Sequence, residues 1–273
     1  MKTLYSRVIA THFAASLLIL SPPADAQLAA SGTPGDRAVY TIGTGASIEP
    51  GLGNSVAHNF ATTAVEDTAD SFDLQAGGAV NLTAGHHLVI YGTRYLNTNP
   101  GIASRAGLDN TILINGSPIS YGAASSYSRD GSNNNNFVRG GSIVEVAQGD
   151  SVGFESKRTD NNAQLRIAQQ DADLQLVKLD DSLSYLRLRA SANAANLMSN
   201  TSAGPSTVSY DVQDEIDAGF THTSGSGDIT LDEAGRYLVF ANTGFRISGG
   251  NRHRQAITQR LALDGTPVED SST

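Results

Sequence analysis

The chain contains 273 residues, of which 39% are hydrophobic and only 16% are charged, and it has no cysteine. The absence of thiols excludes a disulfide scaffold, a thiolate metal site and a cysteine nucleophile. With 18 basic and 27 acidic residues the formal net charge is −9, which repels phosphate backbones and gives no support to nucleic-acid binding.

The first 26 residues have the pattern of a secretory signal. Lys2 and Arg7 give a positive start, residues 8–20 are mostly apolar, and Ala24-Asp25-Ala26 has the small-x-small pattern of a cleavage site. The apolar run is shorter than the ~20 residues that span a bilayer, and no later stretch is long and apolar enough to do so. The sequence therefore predicts a signal peptide over 1–26 and a secreted, extracellular or cell-surface protein with no membrane span.

From Val39 onward the dominant period of apolar residues is two, which is typical of strands whose side chains face core and solvent in turn. Runs such as 79–83, 143–146 and 174–179 alternate in this way and are separated by Gly, Asn and Asp clusters. Asn115-Gly116 indicates a tight hairpin, because both residues tolerate positive φ. Only 191–198 has a helix-like pattern. The pattern predicts an all-β, antiparallel domain.

An internal repeat suggests two domains. Residues 80–91 recur as 229–240, with Gly85 matching Gly235 at an offset of 150, and residues 112–119 recur as 261–268, with Gly116 matching Gly265 at an offset of 149. The repeat predicts a first domain over 37–179 and a second, incomplete copy over 182–273. The alternatives for the incomplete copy are a fragment of a longer chain, which we favour, or a domain completed by a partner or swapped segment.

The repeated run ITLDEAGRYLVF at 229–240 resembles the strand-turn-strand signature of C1q/TNF-like jelly rolls. Residues 261–265 resemble the family's hairpin turn, 148–152 its late "GD.V" turn, and 174–179 its closing strand. The resemblance implies an antiparallel jelly-roll β-sandwich that forms trimers, binds extracellular proteins or glycans, and is not an enzyme. The chain departs from the family in its low aromatic content of 6% and its lack of Trp, which puts an aromatic trimer axis in question.

One motif has a catalytic interpretation. Residues 149–153 (GDSVG) match the G-x-S-x-G pattern of a nucleophile elbow, which would make Ser151 the nucleophile of a serine hydrolase. An elbow needs a helix after the serine, whereas the residues that follow Ser151 have no helical period. A turn between two strands explains the same residues, and we assign no catalytic residue.

Three further patterns are candidates for ligand binding. His86-His87 suggests a metal site, but neighbours on a strand point to opposite faces, so we expect His86 to face outward and His87 to be a half-buried ring. The oxygen-rich loops around Asp130 and Asp160 are weak calcium candidates, each with a single carboxylate. Residues 252–254 (RHR) form a cationic cluster that we interpret as a solvated hairpin tip. No other cofactor is implied.

The sequence leaves three alternative functions. The first is a secreted, non-enzymatic module that self-associates and binds an extracellular protein or glycan. The second is a structural subunit of a cell-surface or extracellular assembly without a separate ligand, and the third is the Ser151 hydrolase. The structural expectations are matched turns at Gly85 and Gly235, and core-facing side chains in the two repeated strands. Those side chains are Leu88, Ile90, Leu238 and Phe240.

Overall fold

The computed structural model describes residues 16–21, 37–42, 53–65, 71–97, 106–128, 136–158, 167–179, 183–190, 207–234, 237–242 and 260–268. Within these ranges the regular structure is entirely β. The strands, in chain order, are β1 Ser16–Ser21, β2 Arg37–Thr41, β3 Ser55–Ala57, β4 Thr62–Val65, β5 Phe72–Leu74, β6 Val80–Leu82, β7 Gly85–Asn97, β8 Ala106–Ile114, β9 Ser117–Ser128, β10 Asn136–Val146, β11 Ser151–Arg158, β12 Ile167–Lys178, β13 Ser184–Arg189, β14 Val212–Ile216, β15 Phe220–His222, β16 Ile229–Leu231, β17 Leu238–Asn242, β18 Ala262–Leu263 and β19 Thr266–Pro267.

Strands β2 to β12 build two antiparallel sheets, which we call the first sandwich. One sheet has the order β10-β7-β12-β2-β4, and the other has the order β5-β6-β11-β8-β9, with β3 added beside β11. The chain crosses from one sheet to the other at each step from β2 to β5, and again between β6 and β7, β7 and β8, β9 and β10, β10 and β11, and β11 and β12. These crossings make a jelly roll, so the expected antiparallel all-β jelly-roll class is confirmed.

The core of the first sandwich lies between the two sheets, because each strand turns alternate side chains inward. In β11 the buried positions alternate with partly exposed ones, and Val152, Phe154 and Ser156 face inward. From the opposite sheet, Tyr40 and Tyr91 are fully buried in the same core. The alternation of buried and partly exposed positions in β11 is that of a strand with one face in the core of a sandwich.

The hairpin between β8 and β9 has the predicted turn. Asn115 and Gly116 have φ values of 50° and 75°, and Ile114 pairs with Ser117 across the turn. Positive φ at both central positions gives the backbone twist that continues into two antiparallel strands. The Asn-Gly prediction is confirmed.

Strands β1 and β13 to β19 form what we call the second unit. Its main sheet has the order β14-β13-β1-β17, and β15-β16 and β18-β19 are separate hairpins. Its apolar cluster includes Leu186, Leu188, Tyr210 and Phe220. β1 comes from the segment that the sequence predicts as a signal peptide. Among the described residues there is no helix of the length and apolar character that crossing a bilayer requires.

The expected facing of the repeated strands is wrong for Leu88 and Ile90 in β7 and for Leu238 in β17. Val89 and Tyr91 point into the sandwich core, whereas Leu88 and Ile90 lie on the opposite face and pack with Leu238 in a cluster shared with the second unit. Both faces of β7 are apolar, so alternation alone did not say which face was the sandwich interior. The side chain of Phe240 lies outside the described residues.

Of the two expected turn glycines, Gly85 has a φ of 118°, which favours glycine. Gly235 lies outside the described residues, as do residues 191–198, so neither expectation on them is tested.

Candidate functional site

Ser151 lies at the start of a strand and not in a nucleophile elbow. Gly149, with a φ of 85°, turns the chain from β10 into β11, and Ser151 begins the eight-residue strand. The backbone N–H of Ser151 donates to Oδ1 of Asn115 at 2.9 Å. The helix that an elbow places after its serine is absent here, because residues 151–158 form β11.

Asp150 and Asn115 connect the two turns at this end of the sandwich. The Asn115 amide donates to Oδ1 of Asp150 at 2.7 Å, and the Ala147 N–H donates to Oδ2 at 2.8 Å. The hydrogen bond from Asn115, and then the one from Ala147, lower the pKa of the Asp150 carboxyl. Residues 149–151 therefore have a structural role: they fasten the β10-β11 turn to the β8-β9 turn.

The two adjacent histidines point to opposite faces, as expected. His87 is fully buried, more deeply than the half-buried ring we expected, and its Nε2 lies 2.8 Å from the carbonyl oxygen of Thr83. Its ring meets Phe72 edge-on, with the ring centroids 5.7 Å apart. His86 lies on the other face of β7, so the pair does not chelate one ion.

His86 instead joins a polar cluster between the first sandwich and the second unit. Its partners are Glu145 on β10, Tyr185 on β13 and Glu215 on β14. One ligand atom each from His86, Glu145 and Glu215 lie within 4.8 Å of one another. The Tyr185 hydroxyl contacts Nε2 of His86 in a short hydrogen bond. We call these four residues the interface cluster.

Two carboxylates beside a phenol shape the electrostatics of the interface cluster. Burial is the main cause that raises the pKa of Tyr185, followed by a hydrogen bond and a charge from Glu215 and by the charges of Asp217 and Glu145. Glu215 also pairs with Arg187, whose Nη2 lies 3.2 Å from its Oε2. Tyr185 is therefore a neutral hydrogen-bonding group at physiological pH.

The interface cluster has the donor set of a metal site. One imidazole nitrogen and two carboxylates are ligands that zinc and other divalent transition metals take. The same atoms also have protein partners, since Tyr185 contacts His86 and Arg187 pairs with Glu215. The contact between Tyr185 and His86 thus joins β13 of the second unit to β7 of the first sandwich, and the ion pair of Arg187 with Glu215 joins β13 to β14, without requiring an ion.

Arg187 extends this contact into the first sandwich. Its guanidinium carbon lies 3.7 Å from the centroid of the Tyr121 ring, and its Nη1 donates to the carbonyl oxygen of Ile143 at 2.9 Å. Around it, Leu88, Ile143 and Leu179 are buried together with Tyr185. The contact between the units therefore combines an apolar cluster with a cation–π pair and charged hydrogen bonds.

A second histidine lies in a sealed polar network inside the first sandwich. His58 Nε2 is 2.8 Å from Ser156 Oγ, which donates to Asn110 Oδ1 at 2.6 Å. The Asn110 amide donates in turn to Thr93 Oγ1 at 3.0 Å. The direction of these bonds assigns the proton of His58 to Nε2. All four residues are buried, so this serine and histidine have no access to a substrate.

Burial lowers the pKa of His58 to about 3. Its ring packs against Phe154, with the ring centroids 4.3 Å apart, and its Nδ1 has no hydrogen-bond partner among the described residues. A proton on Nδ1 would be a buried charge without an acceptor. His58 is therefore a neutral core residue.

Sequence reasoning did not identify His58 or the partners of His86. Ser156 is 98 positions from His58, and Tyr185 is 99 positions from His86, so no local spacing connects them. The calcium candidates Asp130 and Asp160 and the cationic residues 252–254 lie outside the described residues. Their roles stay predictions.

Comparisons with known proteins give likenesses of fold. No family model matches this sequence, and no curated protein is significantly similar to it. The structure of Eiger TNF from S. frugiperda is 17% identical, with a TM-score of 0.41, over 55% of this chain and 95% of that one. The globular domain of zebrafish complement 1qA protein is 13% identical, with a TM-score of 0.37, over 52% and 96% of the two chains. A structure of murine APRIL at pH 8.0 is 14% identical, with a TM-score of 0.35, over 52% and 99%.

The class of fold is assigned from the strand order itself. Two antiparallel five-stranded paths, β10-β7-β12-β2-β4 and β5-β6-β11-β8-β9, face each other, and the chain crosses repeatedly between them. The first sandwich is an antiparallel jelly roll, the fold class that the sequence led us to expect.

Proposed function

We propose that the protein is a secreted, non-catalytic β-sandwich module that associates with further copies of itself and binds an extracellular protein or glycan. The observation that carries the proposal is the place of the exposed apolar side chains. Among the described residues, Ile216, Leu263 and Val268 are the large apolar side chains exposed by 40%, 60% and 44%, and all three belong to the second unit. Leu263 and Val268 lie together on the β18-β19 hairpin, and exposed apolar groups that lie together are typical of an association surface.

The β18-β19 hairpin is the clearest part of this surface. Its repeat counterpart is the β8-β9 hairpin, in which Ile114 and Ile119 pack against the core of the first sandwich. At the corresponding positions, Leu263 and Val268 are exposed. The same type of hairpin is thus covered by neighbouring strands in one unit and uncovered in the other, which favours a partner that covers it.

Packing between like strands already occurs within the chain. Leu88 of β7 and Leu238 of β17 occupy matching places in the repeat, and both contribute to the apolar cluster between the two units. A sheet face of this kind is therefore suited to contact a similar sheet face, which supports association between copies. Export and an extracellular partner are supported by the signal pattern of residues 1–26 and by the family resemblance of the sequence.

Native mass measured by light scattering tests the proposal. We expect the purified protein to have a multiple of the mass of a single chain, three times for a trimer, and Leu263→Asp to reduce it. Ala61→Asp is the matched control, because it places the same charge at an exposed site of the first sandwich. A monomeric wild type, or an unchanged mass in Leu263→Asp, would contradict self-association. Ordered polymers that form without any ligand would favour the structural-subunit alternative.

A further inference from the structure

The main sheet of the second unit reproduces part of the first sandwich. In the first sandwich the order β4-β2-β12-β7 runs from the sheet edge inward, and in the second unit the order is β14-β13-β1-β17. β13 and β14 thus correspond to β2 and β4, and β17 corresponds to β7 by the sequence repeat. In this correspondence β1 takes the place of β12.

The irregularities of the two sheets match as well. In the pair β2-β4, Val39 faces Val65 and Tyr40 faces Thr63, so that the register shifts by one residue between them. In the pair β13-β14, Arg187 faces Glu215 and Leu188 faces Gln213, with the same one-residue shift at the equivalent step. A shared bulge supports our proposal that residues 182–273 are a second, incomplete copy of the sandwich, since bulges are specific features of a fold and not defects.

β1 pairs with its two neighbours in the same register as β12 does in the first sandwich. In the first sandwich, Gln175 of β12 faces Val39 on one side and Ile90 on the other. In the second unit, Leu18 of β1 faces Arg187 and Phe240, and these two residues are the counterparts of Val39 and Ile90. β1 is also antiparallel to both neighbours, as β12 is.

The surroundings of the position between β13 and β17 favour an apolar strand. Leu186 of β13 and Val239 of β17 belong to the apolar cluster on one face of the sheet, whereas Tyr185 and Leu238 belong to the cluster on the other face. A strand covered on both faces is typically a continuous apolar run and not an alternating one. The sequence of β1, SLLILS, is uncharged and apolar at four successive positions.

From the shared order, register and chemistry, we infer that the position between β13 and β17 is a strand-acceptor site. It binds an uncharged, continuously apolar strand that runs antiparallel to both neighbours in the register of β12, and in the chain that retains residues 1–26 its occupant is residues 16–21. Backbone pairing along both edges supplies the binding energy, and the apolar clusters on the two faces exclude charged strands. The inference does not depend on the proposed association through the β18-β19 hairpin.

Disulfide trapping tests the register directly, because the chain has no cysteine of its own. Ile19 and Val239 are cross-strand partners, so the full chain carrying Ile19→Cys and Val239→Cys, with residues 1–26 retained, should form an intrachain disulfide. The matched control is Ile19→Cys with Phe240→Cys, since neighbouring strand positions point to opposite faces. Mass spectrometry of the oxidised chain should find the bridge in the first variant only. Absence of the bridge, equal bridging in both variants, or a bridge between two chains would overturn the inference.

Hydrogen exchange on the cysteine-free chain, again with residues 1–26 retained, keeps the inference testable if the double variants do not fold. Leu18→Pro removes a backbone donor from the centre of β1. We expect the amides of β13 and β17 to exchange about tenfold faster or more in this variant, with those of β2 and β12 unchanged. Unchanged exchange in β13 and β17 would refute the acceptor site. Because the first sandwich and the native mass are measured separately, failure here is distinct from failure of the proposed self-association.

Discussion

Acidification is expected to destabilise the first sandwich through His58. This side chain is 2% exposed, packs against Phe154, and donates from Nε2 to Ser156. Its Nδ1 has no acceptor nearby among the described residues, so a second proton would be placed in an apolar environment without a partner. The folded protein therefore holds this imidazole neutral where an unfolded chain would protonate it.

The magnitude follows from the two pKa values of His58. Burial lowers the pKa from 6.5 to about 3, so below pH 6.5 the unfolded state binds more protons than the folded state. The stabilisation is complete above pH 6.5 and is lost as the pH falls towards 3, by about 1.4 kcal/mol per pH unit. Between about pH 7 and pH 5 the free energy of unfolding should fall by about 2 kcal/mol from this residue alone.

Urea unfolding followed by circular dichroism at several pH values measures this loss. His58→Gln keeps an N–H donor of similar reach but does not titrate, so the difference in pH dependence between the wild type and this variant isolates His58. We expect the variant to be less stable at neutral pH and to lose about 2 kcal/mol less than the wild type on acidification. Parallel stability curves for the two proteins between pH 7 and pH 5 would show that the reasoning is wrong.

Three further substitutions test the packing and the two contacts described above. Phe154→Ala should lower the free energy of unfolding by about 3–5 kcal/mol in urea titrations, because its ring is 1% exposed in the core; a loss below about 1 kcal/mol would contradict that burial. Asn115→Ala should lower the melting temperature because it removes the hydrogen bonds to Asp150 and Ser151, whereas Ser151→Ala should change stability by less than about 0.5 kcal/mol; the reverse order in calorimetry would contradict the turn-fastening role. Arg187→Lys should cost about 1 kcal/mol by the same assay, because Lys lacks the planar group that stacks on Tyr121, and an unchanged melting temperature would show that the stack contributes little.

Local sequence signals predicted the parts of the fold that depend on neighbouring residues. Asn115-Gly116 gave the β8-β9 turn because only residues that tolerate positive φ suit it, and the same signal recurs at Asp264 and Gly265 with φ values of 49° and 76°. The period of two in 174–179 indicated a strand with one face in the core, and Leu174 and Leu176 of β12 are fully buried there. In both cases the structure of a position is determined by residues close to it in the sequence.

The predictions that were wrong or missing concern positions whose environment is set by residues far away in the sequence. β7 is apolar on both faces because one face closes the sandwich and the other meets the second unit, so Leu88 and Ile90 were assigned to the wrong side. The interface cluster was missed for the same reason, since β10, β13 and β14 bring their side chains to His86 only after the sheets have assembled. Without knowledge of the strand order, a lone Glu145 in an alternating run looks like any solvent-facing residue.

The apolar cluster between the units has a mechanical consequence. Leu179, just after β12, and Tyr185, at the start of β13, are buried in the same cluster, so both ends of the short connection are anchored to one body. Tension applied along the chain would therefore reach the first sandwich and the second unit together, through this shared cluster. In solution the pair should tumble as a single particle, with one rotational correlation time for both.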